Sequence, residues 1–130
     1  MVDMVDKNRP RRQKHMRENV IERTLRNEIK RQGGWCLKFV SPGTAGVPDR
    51  ICLLPGRVIA FVELKAPGKA VREGSLQEFW GKELKRLGFQ WALVSTTEEA
   101  RRLAVDLGRT SREITGEKPS KPGKEVSHSG

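Results

Sequence analysis

Apolar positions along the chain follow two spacings. From about Arg17 to Gln32, Ile21, Leu25 and Ile29 recur every fourth residue, which marks one face of a helix, and Gly33-Gly34 follows as a stop. The pattern then shortens. WCLKFV (35–40) reads as a strand and SPGTAG (41–46) as a loop. RICLL (50–54) and VIAFVELK (58–65) are β-rich runs joined by Pro55-Gly56-Arg57, a connection short enough to predict an antiparallel hairpin. Ser75 with Glu78, and Thr96 with Glu99, have capping-box spacing. They start a second helix over LQEFWGKELKRL, stopping at Gly88, and a third over EARRLAVDL, ending at Gly108. QWALVS (90–95) lies between them as a fourth strand. The predicted order α-β-β-β-α-β-α is an α/β fold: a mixed sheet of about four strands flanked by helices, with QWALVS parallel to the strand before it.

The two ends lack such a pattern. Residues 1–15 are basic and interrupted by Pro10, and residues 109–130 are rich in Ser, Gly, Pro and Lys with almost no apolar side chains. Neither can bury enough surface to order itself. The expected organisation is a flexible basic arm (1–15), one folded domain (16–108) and a disordered basic tail (109–130).

Composition then narrows the partners. With 26 Lys+Arg against 16 Asp+Glu the formal charge is +10, which attracts polyanions, nucleic acid foremost. No apolar run approaches the roughly twenty residues of a spanning helix. The basic N-terminus has no apolar stretch behind it of the kind that directs export, so no membrane partner is expected and the location is expected to be cytoplasmic. Cys36 and Cys52 lack metal-binding spacing and read as reduced core residues, while His15 and His128 lie in the polar ends. Any catalysis therefore falls to carboxylates, lysine and a hard metal.

The charges inside the hairpin are where such chemistry could sit. Strand alternation puts Ile59, Phe61, Glu63 and Lys65 on one face and Val58, Ala60, Val62 and Leu64 on the other. A three-residue hairpin loop sets Asp49 directly opposite Glu63, a one-residue slip being the alternative register. Two facing carboxylates repel unless a cation lies between them. Mg²⁺ is held by one or two carboxylates, water and phosphate oxygens, so Asp49 and Glu63 meet the minimum and the Leu64 backbone carbonyl can add a third oxygen. Lys65 beside them can orient an attacking water or offset phosphate charge. Taken as bare charges, the cluster also fits a surface salt-bridge group at a hairpin mouth.

The motif PD at 48–49 followed by ExK at 63–65, with a helix-one acid, Gly33-Gly34, KFVSPG, FVELKAPG and LQEFWGKELKRLGFQWALV, resembles the PD-(D/E)xK nuclease superfamily. Within it the likeness is to the VRR-NUC (virus-type replication-repair nuclease) family in its short stand-alone phage and bacterial form, over about Ile21 to Ala100. The resemblance implies a restriction-endonuclease-like core, Asp49 and Glu63 as ligands of Mg²⁺ or Mn²⁺, and Lys65 as the catalytic lysine. It also implies Glu22 as a metal ligand from helix one, where it sits beside the buried stripe; Glu18, one turn earlier, competes for that role. Gln77 matches the glutamine that opens the helix after ExK, where an amide can hold the attacking water or a phosphate oxygen. Lys38 and Ser41, ahead of the PD loop, are placed to reach DNA phosphates. Trp35, Trp80 and Trp91 lie within regular elements and read as core or interface residues.

The function so implied is a metal-dependent DNA endonuclease, structure-specific on branched DNA such as four-way (Holliday) junctions. A symmetric junction suits a homodimer, and a helicase or another replication or repair protein is a further expected partner. If the chain is phage-encoded, the host cytoplasm is its location. Two alternatives fit parts of the pattern. A non-catalytic basic nucleic-acid-binding protein needs only the charge, and would have no use for Asp49, Glu63 and Lys65 together. A nicking or restriction-type nuclease would share the active site, but no base-reading element such as a helix-turn-helix fits in the remaining residues.

Overall fold

The computed structural model describes residues 11–118 and 120–124. Its elements are α1 (Arg11–Arg31), β1 (Trp35–Lys38), β2 (Arg50–Leu54), β3 (Val58–Leu64), α2 (Leu76–Arg86), β4 (Gln90–Val94) and α3 (Thr97–Thr115), the predicted order. The four strands form one sheet in the order β1-β2-β3-β4. β1 pairs antiparallel with β2 and β2 antiparallel with β3. β4 runs parallel to β3, as a helical crossover requires. Pairing of Leu54 with Val58 and Arg50 with Val62 realises the three-residue hairpin loop, so no register slip occurs. Arg57 turns that hairpin at φ 62°.

One face of the sheet is closed by α1 and α3. Ile21, Leu25 and Ile29 from α1 and Ala100, Ala104 and Leu107 from α3 meet Cys36, Cys52, Leu54, Val58, Ala60, Val62 and Val94 in one buried cluster. Cys36 and Cys52 are cross-strand partners in this core, and both thiols are free. α2 covers the β4 side of the opposite face, where Gly81 brings the helix against the Trp91 ring. Trp35, Trp80 and Trp91 are all half-buried in packing. Phe39, Phe61 and Phe89 extend this second face as a row with centroids 5.7 and 5.6 Å apart. No helix among the described residues is long and apolar enough to cross a membrane.

Both capping boxes form. Ser75 Oγ accepts the Glu78 N–H at 3.2 Å and Thr96 Oγ1 accepts the Glu99 N–H at 3.0 Å. Each glutamate reaches back past the cap residue, Glu78 to the Gly74 N–H and Glu99 to the Ser95 N–H, tying the incoming chain to the first turn of the helix.

Two boundaries differ from expectation. α1 begins at Arg11, not near Arg17, because the residues from Arg11 to Arg17 are mostly good helix formers, so propensity extends the helix ahead of the apolar stripe. The arm expected over 1–15 is thus helical from residue 11, and residues 1–10 lie outside the described residues. α3 does not stop at Gly108. A Cβ at Gly108 would collide with the Gln32 side chain, so the glycine is there to let α3 close on the end of α1. The cap is Gly116, whose φ of 73° suits the left-handed position that ends helices. The segment 109–115, read as tail, therefore belongs to the body. Ser111 is buried and donates to the Pro55 carbonyl at 2.6 Å, and Arg112 donates to Gln32 Oε1 at 3.0 Å. Residues 117–118 and 120–124 have no helix or strand, and positions 119 and 125–130 lie outside the described residues.

A chain ended after Gly108 is expected to melt at least ~5 °C below the full chain. It loses two tertiary hydrogen bonds of about 1 kcal/mol each, and 1 kcal/mol moves the midpoint of so small a domain by about 4–8 °C. A chain ended after Lys118 should melt within ~2 °C of the full chain. Thermal denaturation followed by circular dichroism reads the difference.

Candidate active site

The site lies at the open end of the hairpin, where β2 begins and β3 ends. The loop between β1 and β2 is closed by the Phe39 N–H, which donates to the Asp49 carbonyl at 2.8 Å. Pro48 is fully buried and fixes the loop from below. Gly46, at φ 90°, packs so closely on Leu76 that a side chain there would strike the start of α2. The two segments that flank the site are thereby seated on each other.

Asp49 is exposed, and its Oδ2 accepts the Leu64 N–H at 2.8 Å. This bond carries the hairpin pairing one step past β2 and sets Asp49 against Glu63, as the register predicts. A residue's N–H and C=O leave a strand on the same edge, so the Leu64 carbonyl is also on the Asp49 side. Glu63 itself is only 2 % exposed. Burial first, then the negative charge and hydrogen bond of Asp49, push its carboxyl up from 4.5 to about 7, and Lys65 only partly offsets them; Glu18 adds a smaller push.

Gln77 joins the acid to the lysine. Its Nε2 donates to Glu63 Oε2 at 2.8 Å while its Oε1 accepts from Lys65 Nζ at 2.9 Å. The Ser75 cap fixes where α2 starts, and so places Gln77, its second residue, over the strand end. Lys65 Nζ also stands 3.9 Å from Glu63 Oε2. The backbone of Lys65 is pinned to β4 by an N–H bond to the Val94 carbonyl at 3.1 Å.

These groups border a cavity of about 390 Å³ that also takes in Glu18, Asn19 and Glu22 from α1, and Lys38 and Phe39 from the end of β1. Of the sequence-predicted residues, Asp49, Glu63, Leu64, Lys65, Gln77, Glu22 and Lys38 are brought together here. Ser41 is not among the cavity residues; it sits in a loop turn, where its carbonyl accepts the Thr44 N–H at 3.1 Å. Glu22 reaches the rim with its carboxylate engaged by Arg26 at 3.1 Å and Arg50 at 3.5 Å. The α1 acid whose charge acts on Glu63 is Glu18, the competing candidate.

Asn19 and Arg50 also border the cavity, and sequence reasoning did not single them out. Asn19 has no pattern signal. Arg50 does have one: it shares parity with the core residues Cys52 and Leu54, and a charge at such a position needs a reason.

The donor set fits a hard divalent ion. Asp49, Glu63 and the Leu64 carbonyl are all oxygen donors, and burial together with the facing Asp49 charge raises the Glu63 pKa, a conflict that a cation between the two acids would relieve. Among the described residues no three acids converge tightly enough to hold an ion by themselves. Water and substrate oxygens would have to complete its shell, as is usual for Mg²⁺.

One consequence is a pH-dependent stability. The folded chain favours neutral Glu63, so that contribution is fully present below pH 4.5 and is lost as pH rises through about 7. In chelator, stability is expected to fall between pH 5 and 8 by an amount on the order of 3 kcal/mol at most, and Glu63→Gln should remove most of that slope. Denaturant titrations across this range provide the check.

Comparison with known proteins bears on the family. No family model matches the chain. A curated relative, "Putative nuclease p44" of Acyrthosiphon pisum secondary endosymbiont phage 1, is 49% identical over 63 residues, covering 48% of this chain and 68% of that protein. A solved structure described as "VRR_NUC domain" superposes with a TM-score of 0.59 at 24% identity, covering 67% of this chain and 92% of the other, a likeness of fold. The chain thus has the fold of a VRR_NUC domain and belongs to the same family as that phage protein.

Proposed function

We propose that the chain is a divalent-metal-dependent endodeoxyribonuclease that cuts branched DNA such as four-way junctions, working as a homodimer in the cytoplasm. The observation that carries this reading is the buried Glu63 set against Asp49, with Gln77 bridging Glu63 to Lys65. A salt-bridge cluster formed for stability would have no need to bury an acid beside another acid, at the expense of its ionisation.

Asp49, Glu63 and the Leu64 carbonyl would hold Mg²⁺ or Mn²⁺, which when bound supplies a Lewis acid and a more acidic water. The chain's own groups do the rest. Gln77 restrains Lys65 through its Oε1, so the ammonium meets the scissile phosphate in one orientation and can offset charge there. Glu22 joins the ligand set only by leaving its arginine partners, and Lys38 at the rim is placed for a flanking phosphate. Support for DNA as substrate comes from the net charge of +10 and from the nuclease relative. A two-fold symmetric junction is matched by two copies of one site. A helicase or repair partner remains compatible with this reading.

One panel tests it: wild type and variants on linear duplex, flap and four-way junction DNA, with Mg²⁺, Mn²⁺ or chelator. Wild type is expected to cut the junction only with metal. Lys65→Ala should lose at least ~100-fold in rate while still binding Mn²⁺, and Asp49→Asn should lose both activity and Mn²⁺ affinity. Gln77→Ala should fall between wild type and Lys65→Ala. Metal-independent cutting, or equal rates for wild type and Lys65→Ala, would contradict the mechanism. DNA binding by wild type without cutting on any substrate would favour a binding-only protein.

A further inference from the structure

Arg50 is a charge in a place that packing alone does not favour. It opens β2 between Lys38 and Val62, on the face that Cys52 and Leu54 turn to the core, and its side chain is 20% exposed. It nevertheless borders the cavity of Asp49 and Glu63.

The ion pairing around it is unbalanced. Arg26 Nη1 already engages both Glu22 oxygens, at 3.2 and 3.1 Å, whereas Arg50 Nη2 reaches Glu22 Oε2 only at 3.5 Å. The shorter contacts go to Arg26, which does not border the cavity. One carboxylate thus faces two guanidinium groups, and the surplus positive charge belongs to the arginine in the cavity wall. Asp49, the adjacent acid, accepts the Leu64 N–H. Arg50 Nε is buried with no hydrogen-bond partner among the described residues. A half-buried guanidinium with its Nε unpaired is costly, and its planar fork of donors matches the oxygens of a phosphate.

We infer that Arg50 binds a DNA backbone phosphate, the one adjoining the phosphodiester held at Asp49 and Glu63. This rests on the nuclease reading above, and adds to it the residue that fixes the strand in register with the site. Contact with the anion supplies the partner that Glu22 only half provides. It also leaves Arg26 to neutralise Glu22.

The test is binding of a short labelled duplex in chelator, by fluorescence anisotropy over a series of salt concentrations. Wild type is compared with Arg50→Gln, Arg50→Lys and Arg109→Gln. Arg109, on α3, is 57% exposed and paired with Asp106, and serves as the charge control. Arg50→Gln is expected to bind about fivefold or more weakly than the control, with a salt slope reduced by about 1. Arg50→Lys should regain the slope but remain several-fold weaker, because it keeps the charge and loses the fork. Control-like affinity and slope for Arg50→Gln, with only a lowered melting temperature, would overturn the inference and leave Arg50 as a tie between α1 and the sheet. If Arg50→Gln does not fold, wild-type affinity in folded Arg50→Lys overturns it equally. Cleavage by wild type is scored separately. A wild type that cuts while Arg50→Gln binds normally sinks only the Arg50 contact, whereas a wild type that binds but never cuts sinks the nuclease reading.

Discussion

The meeting of two carboxylates, Asp49 and Glu63, at the open end of the β2–β3 hairpin is the constraint around which the rest of the structure is arranged. Left to themselves these groups would separate. Backbone holds them: Asp49 is tied to the Leu64 N–H, and Glu63 is carried on a strand paired on both sides. Burial of Glu63, and then its repulsion by Asp49, raise its pKa to about 7. A fold that stores such a conflict does so at functional sites more often than elsewhere.

Each neighbouring element supports that arrangement. The α1–α3 side supplies the apolar packing that makes β3 rigid, with Val58, Ala60 and Val62 fully or nearly buried beneath the strand that carries Glu63 and Lys65. α2 contributes through its start, since the Ser75 cap sets the position from which Gln77 spans acid and lysine. The loop ahead of Asp49 is seated on α2 through Gly46 and Leu76, so both walls of the site are coupled by contact. Site geometry is thus a property of the whole domain. The far end is clamped as well, where α3 holds the hairpin turn through Ser111 and Pro55.

Much of this was legible from residue pattern. Period-two alternation in VIAFVELK put Glu63 and Lys65 on one face, and the length of Pro55-Gly56-Arg57 fixed Asp49 opposite Glu63. Those are local rules, which sequence expresses directly. Gln77 came from the family resemblance, and the structure shows what its amide contacts. What pattern could not supply was tertiary pairing. Gly108 has the look of a helix stop and is instead a close contact with Gln32, information held in another helix. Glu22 was legible as an acid near the buried stripe, but its engagement by Arg26 and Arg50 depends on where β2 runs beneath α1. Arg50 itself was visible only as a parity conflict.

The central claim, that Asp49 and Glu63 form a divalent-metal site, is tested most directly by calorimetric titration of Mn²⁺ at pH 6 in buffers of different ionisation enthalpy, with Glu63→Gln alongside. With Glu63 near pKa 7, metal must displace its proton, so binding to wild type should release close to one proton per ion, and Glu63→Gln should bind more weakly with almost no release. Mn²⁺ binding without proton release, or equal affinity and release in Glu63→Gln, would contradict the account.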